Sequence, residues 1–241
     1  MSADLSAPTR VLVVAAHPDD EVLGMGGTIA MHARGGDVVR ILCVTDGSSA
    51  QYPGDAARRR QKEEEAREAA AVLGVTDYVH LDLPDMRLDT VAHVDVNRPI
   101  ELHVAEFRPD VVYVVHPDVN QDHGRVFDSV AVATRPTPGQ CVRRLLTFAP
   151  TSSTEWTPPG QNWFTPNVFV DITETFELKV RAFARYRTEY RPYPHPRNER
   201  ALRAAAEHVG VSVGCEFAEP FVLVRSIEAP GARRPRPPAS A

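Results

Sequence analysis

Short apolar runs alternate with amphipathic segments over the first 135 residues, and this alternation constrains the fold more than any other feature of the chain. Val11 to Ala16 (VLVVAA), Val38 to Thr45, Tyr78 to Leu83 and Val111 to Val115 are nearly continuous apolar runs. Runs of that kind suit parallel strands buried on both faces. Between them, Asp20 to Arg34, Asp55 to Leu73, Val96 to Phe107 and Asp122 to Thr134 read as helices, with Gly35-Gly36 and Gly74 as stop signals. Strand–helix alternation predicts an α/β fold: a Rossmann-like, doubly wound, mostly parallel sheet with helices on both faces. Three later strands (Leu145 to Ala149, Val168 to Ile172, Phe221 to Val224) and two later helices (Thr173 to Tyr186, Asn198 to Val209) are expected. Such sheets bind ligands beyond the carboxyl ends of their strands. In the common strand order the first and fourth strands are neighbours, so the loops beginning at His17 and His116 flank one crevice.

With 241 residues, 43% of them apolar, the chain can bury one sizeable core. A single domain over residues 1–227 is expected. The remaining segment, 228–241 (EAPGARRPRPPASA), has little to bury and reads as a disordered tail. No run approaches the ~18 apolar residues of a membrane span, and Met1 to Arg10 lacks the regions of a signal peptide. The expectation is a soluble, cytoplasmic protein. Cys43, Cys141 and Cys215 are scattered and odd in number, a reduced-thiol pattern. A net charge of −5 argues against nucleic acid as the main partner. The charge run Arg58 to Glu65 (RRRQKEEE) reads as a solvated helix face.

After the first strand comes His17-Pro18-Asp19-Asp20-Glu21. Carboxylates at the start of a helix cap free N–H groups and suit its dipole, so the cluster alone is equally a helix cap or a ligand set. The fourth strand runs into His116-Pro117-Asp118-Val119-Asn120-Gln121-Asp122-His123, which repeats the same ingredients in the neighbouring loop. Two histidine–carboxylate clusters at adjacent strand ends point to a metal. Two histidines and a carboxylate suit zinc or iron(II) and leave a position for water. His17, Asp20 and His123 supply such a set, with one aspartate left beside the metal.

The strand followed by AHPDDE (Ala16 to Glu21), with a later Asp122-His123 pair, resembles the PIG-L/LmbE-like deacetylases, zinc-dependent enzymes acting on N-acetylglucosaminyl groups. Thr45-Asp46-Gly47, Asp85 to Asp89, Ser152 to Trp156 and Tyr193 to Arg197 support the resemblance, which covers nearly the whole chain. It implies His17, Asp20 and His123 as metal ligands, with zinc the expected cofactor and iron(II) or another divalent ion as alternatives. It implies Asp19 as general base. Many relatives read His-Pro-Asp-His at the later motif, where the first histidine helps stabilise the oxyanion; here Asn120 stands in its place. Asn120 or His116 is then the donor. Asp122 is expected to orient a histidine, and Glu21 either does the same or caps the helix.

The expected substrate is a small N-acetylated sugar, as a glycoside, a nucleotide sugar or a specialised-metabolite intermediate. A different amide in a thiol or sugar conjugate is the alternative. Arg87 is a candidate substrate contact or a surface ion pair with Asp85 or Asp89. Asp46 is a hydroxyl acceptor or a turn residue, and Trp156 and Trp163 stack on a sugar or pack under their loop. In some oligomeric relatives a late histidine approaches a neighbouring subunit's site, which makes His195 a candidate and a homo-oligomer an expectation. A nucleotide-binding oxidoreductase is the main rival, but Gly24-Met25-Gly26-Gly27 falls inside the predicted helix, not at the strand end. A non-catalytic homologue has only the changed second motif in its favour.

Overall fold

Val11 to Ala16 have no exposed surface, because their strand lies between two others with helices covering both faces. The computed structural model describes residues 8–228; all of the predicted tail except Glu228 lies outside them. The first half is built of β1 (Arg10–Ala15), α1 (Asp20–Arg34), β2 (Val38–Thr45), α2 (Ala56–Val72), β3 (Asp77–Leu83), α3 (His93–Phe107), β4 (Val111–Val115) and α4 (Gln121–Ala133). The second half adds β5 (Arg144–Phe148), β6 (Val168–Asp171), α5 (Phe176–Phe183), α6 (Glu199–Val213) and β7 (Ala218–Ser226). Among the described residues, seven strands form one sheet in the order β3-β2-β1-β4-β5-β7-β6. The first five are parallel to their neighbours, and β7 runs antiparallel to β5 and β6. This is the doubly wound α/β architecture that the alternation predicts, with an antiparallel edge.

The second half departs most from expectation. The helix predicted over Thr173 to Tyr186 is only α5, since Asp171 accepts the Thr173 N–H at 2.9 Å and folds the chain into a turn first. The last strand is longer than predicted because it pairs on both sides. The charge run on α2 is not wholly solvated: Lys62 and Glu65 are buried.

The glycines of α1 serve packing. A Cβ on Gly27 would stand 2.7 Å from Ile172 Cδ1, so only glycine lets the helix approach there. The helix breaks at Met25 (φ −149°), and buried Glu219 takes up the amides beyond the break. It accepts the Gly27 N–H at 3.0 Å and the Thr28 N–H at 2.7 Å, and Lys179 Nζ lies 2.6 Å from it. These glycines sit in the middle of a helix, far from the geometry of a dinucleotide loop.

Candidate metal centre

β1 and β4 pair in parallel from Val11↔Val111 to Val14↔Val114, which brings the loops after them side by side. Asp20 Oδ2 lies 3.4 Å from His17 Nδ1 and 3.4 Å from His123 Nε2. The three candidate ligand atoms lie within 4.8 Å of one another. Both ring nitrogens of buried His123 lack a hydrogen bond of good geometry among the described residues, and each faces a carboxylate. A buried imidazole nitrogen left unpaired beside a carboxylate and a second imidazole fits a divalent ion, and the two-nitrogen, one-oxygen set suits zinc or iron(II).

The outward-facing ring nitrogens are held as metal-binding histidines require. His17 Nε2 lies 3.2 Å from Asp122 Oδ2, and the other oxygen of Asp122 accepts the Leu88 N–H at 3.0 Å. His123 Nδ1 lies 2.9 Å from Asp118 Oδ1. Asp118 is itself fixed by the Asn120 N–H and by the hydroxyls of Ser153 and Thr154, each at 2.8 Å. Sequence reasoning named Asp122 and passed over Asp118, whose role depends on where the Ser152 to Trp156 segment folds back. Asp85 also faces His17 Nε2, at 3.5 Å. Burial would lower the proton affinity of His17, but Asp122 and Asp20 override it and raise its pKa to about 10. His123 is likewise raised, against burial, to about 9 by Asp20 and Asp118. Burial disfavours the charge on Asp20, yet His123 and His17 hold its carboxyl well below the usual range.

Asp19 occupies the N-cap position of α1 at φ 114° and makes no side-chain cap. The cap reading of this cluster therefore fails at Asp19. Its N–H donates to Glu21 Oε2 at 3.2 Å, and Glu21 Oε1 accepts the Tyr186 hydroxyl at 2.5 Å. Glu21 is thus not a partner of a ligand histidine; it reaches back to the amide of the N-cap residue Asp19, as the capping alternative expects. The Asp19 carboxylate is buried, makes no hydrogen bond among the described residues, and lies 3.3 Å from Arg197 Nη1. Burial pushes its pKa up to about 8, against the pull of Arg197.

A small crevice is lined by His17, Asp19, Lys62, Asn120, Glu189 and Arg197 among others. Asn120 caps α4 through Oδ1, which accepts the Asp122 N–H at 3.0 Å. Its Nδ2 reaches only Met86 Sδ, at 3.5 Å, so its amide protons are committed to no oxygen. His116 is differently placed. Its Nε2 lies 2.9 Å from the Asn162 carbonyl and its Nδ1 3.1 Å from Thr147 Oγ1, so both ring nitrogens are engaged outside the crevice lining. Of the two expected donors, the geometry retains Asn120.

The substrate candidates fare less well. Asp46 Oδ1 accepts the Ser48 and Ser49 N–H groups, each at 2.8 Å, which gives it the turn role, and Asp46 does not line the crevice. Arg87 is exposed and forms neither of the ion pairs considered for it. Within its own chain His195 sits edge-on to Trp156, with ring centroids 6.3 Å apart, and does not line the crevice. Trp156 and Trp163 are 55% and 63% exposed, so neither packs under its loop. Trp163 borders a separate apolar cavity of about 680 Å³ that contains none of the ligand candidates. Arg197, Glu189 and Lys62 were not singled out from sequence; the first lies in the Tyr193 to Arg197 motif, which was the one available signal.

The chain is 29% identical over 232 residues to the diacetylchitobiose deacetylase of Thermococcus kodakarensis, covering 90% of this chain and 84% of that protein. It is 30% identical over 200 residues to the deacetylase YaiS of Escherichia coli, covering 78% of this chain and 97% of that protein. The N,N'-diacetylchitobiose deacetylase structure from Pyrococcus horikoshii superposes with a TM-score of 0.73 at 26% identity, over 92% of this chain and 87% of that one. The family model described as PIG-L, GlcNAc-PI de-N-acetylase, matches residues 12–134, which include both histidine motifs. The chain belongs to the PIG-L deacetylase family.

Proposed function

We propose that this protein is a zinc-dependent N-deacetylase that hydrolyses the acetamido group of an N-acetylglucosamine-type sugar in a glycoside or conjugate. One observation carries the reading: a buried carboxylate without hydrogen bonds, that of Asp19, stands next in sequence to a ligand set of two histidines and an aspartate. The names of the relatives support the substrate class. His17, Asp20 and His123 would hold a divalent ion, which would supply polarisation of an amide carbonyl and a lowered pKa for water beside it.

The chain's own residues do the rest. Asp19 takes the proton from the attacking water and returns it to the departing amine, acting as base and then acid. Burial gives it a greater proton affinity than an ordinary carboxylate, which suits the return of the proton to the amine. The amide of Asn120 donates to the oxyanion as the carbonyl carbon becomes tetrahedral; a donor of this kind contributes about 3 kcal/mol. Asp122 and Asp118 keep His17 and His123 in the tautomers that face Asp20. A reducing compartment such as the cytoplasm is part of the proposal, supported by three unpaired cysteines.

Acetate release from a panel of N-acetylglucosamine glycosides, measured with zinc and with chelator, tests the reaction. Release is expected only with metal. Asp19→Asn should keep its metal and release no acetate; undiminished release by that variant would falsify the assignment of the base.

A further inference from the structure

The wall of the crevice beside Asp19 is a row of alternating charges. Lys62 Nζ lies 2.6 Å from Glu189 Oε1, and Glu189 Oε2 lies 2.5 Å from Arg197 Nη1. The same Nη1 faces Asp19 Oδ2 at 3.3 Å. Lys62, Glu189 and Asp19 are all buried. Two segments distant in sequence therefore meet at the motif turn: α2, and the connection between α5 and α6.

Burying three charges against a half-buried fourth is an expensive way to stabilise a fold, since well-packed apolar side chains commonly do as well or better. The array has a different consequence. The Asp19 carboxylate accepts no hydrogen bond and caps no helix, so little else fixes where its oxygens point. Arg197 is the cation that meets it, and Arg197 is held from two other directions: by Glu189, and by Ser152 Oγ, which accepts from its Nε at 2.8 Å. Glu189 in turn is held by Lys62. Lys62 also donates to the Gly47 carbonyl at 2.6 Å. Gly47 presses against the same turn from beneath, since a Cβ there would stand 2.4 Å from Pro18 Cδ. The array thus bears on Pro18 at one end and on Asp19 at the other.

We propose that Arg197, braced by Glu189 and Lys62, is the positioning residue that aims the Asp19 carboxylate across the crevice. The inference rests on Asp19 being the base. A misplacement of about 1 Å in a catalytic group costs on the order of 100-fold in rate, which gives such a brace a reason to exist. Because Arg197 is already paired with two carboxylates, it acts on the substrate through Asp19.

The test uses the metal-loaded full-length chain. Arg197→Ala and Glu189→Gln should keep their metal and lose about 10- to 100-fold in kcat with KM nearly unchanged. Added guanidinium ion should restore part of the rate of Arg197→Ala and none of the rate of Asp19→Asn. A crystal structure of Arg197→Ala should show the Asp19 carboxylate turned out of its native rotamer. A wild-type kcat, a loss confined to KM, failure of guanidinium rescue or an unmoved Asp19 carboxylate overturns the proposal. If Arg197→Ala does not fold, Arg197→Lys takes its place and should show the same split with a smaller loss. Failure of the unmodified enzyme on every acetylated sugar would instead overturn the reading of the reaction; the rotamer comparison would still decide the positioning.

Discussion

The Tyr186 hydroxyl donates to Glu21 across 2.5 Å, tying the chain beyond α5 to the turn that presents Asp19. The other oxygen of Glu21 holds the Asp19 N–H. A non-glycine residue at φ 114° costs on the order of 1–3 kcal/mol, and such a conformation persists only where its surroundings impose it. Burial already raises the Glu21 pKa to about 7, against the opposing hydrogen bond from Tyr186. Loss of that hydroxyl removes a contact that opposes protonation, so the carboxyl's proton affinity rises further and its grip on Asp19 weakens. Tyr186→Phe is expected to lose about 1–3 kcal/mol. Urea unfolding should give a lower midpoint at unchanged slope; an unaltered midpoint would show that the contact contributes nothing.

Metal uptake should release protons. His17 and His123 are raised to about 10 and about 9 by the carboxylates around them, so near neutral pH both rings are charged until a cation displaces their protons. Affinity therefore rises with pH until those values are passed and falls as the solution is acidified. Calorimetric titration with zinc in two buffers of different ionisation enthalpy should report about two protons released per ion. A heat independent of buffer would contradict the assignment.

Asp118→Asn should weaken metal binding about 10- to 100-fold without unfolding the protein, because the amide can face His123 Nδ1 with the wrong polarity. His123→Ala should lose the metal outright. Competition against a chromogenic chelator measures both. Full occupancy in the alanine variant would place the third ligand elsewhere.

Gly47 cannot accept a side chain. Its φ of +58° and the 2.4 Å approach of Pro18 Cδ to an added Cβ oppose alanine for separate reasons. Gly47→Ala is expected to lose about 1–3 kcal/mol and to hold metal less tightly, since Pro18 follows a ligand. Thermal unfolding with and without zinc should separate the two effects: a larger deficit in the presence of zinc marks the disturbed turn.

The first 135 residues were the legible part. The helix over Asp20–Arg34 and the strands over Val38–Thr45 and Val111–Val115 fall where periodicity and glycine stops put them, because their burial is set by local pattern. The pairing of β1 with β4 followed from the alternation, and with it the meeting of the two histidine loops. What the pattern could not carry was partnership across the chain. Lys62 looks like any lysine in a charged helix until Glu189 is seen beside it, 127 positions later. Asp46 and Asp118 are both aspartates in loops after strands. Only the backbone path shows that one serves its own turn and the other faces a candidate ligand histidine.

Glu219 sits 192 residues beyond the α1 amide it receives, and Tyr186, Glu189 and Arg197 are also late in the chain. During synthesis the ligands emerge from the ribosome long before the residues that set the base and close the broken helix. A chain ending before Tyr186 already carries every candidate metal ligand, but lacks Tyr186, Glu189 and Arg197 around Asp19. The candidate ligands and the contacts that surround the neighbouring aspartate are thus encoded at opposite ends of the chain, and a truncation after β5 would keep the first and lose the second.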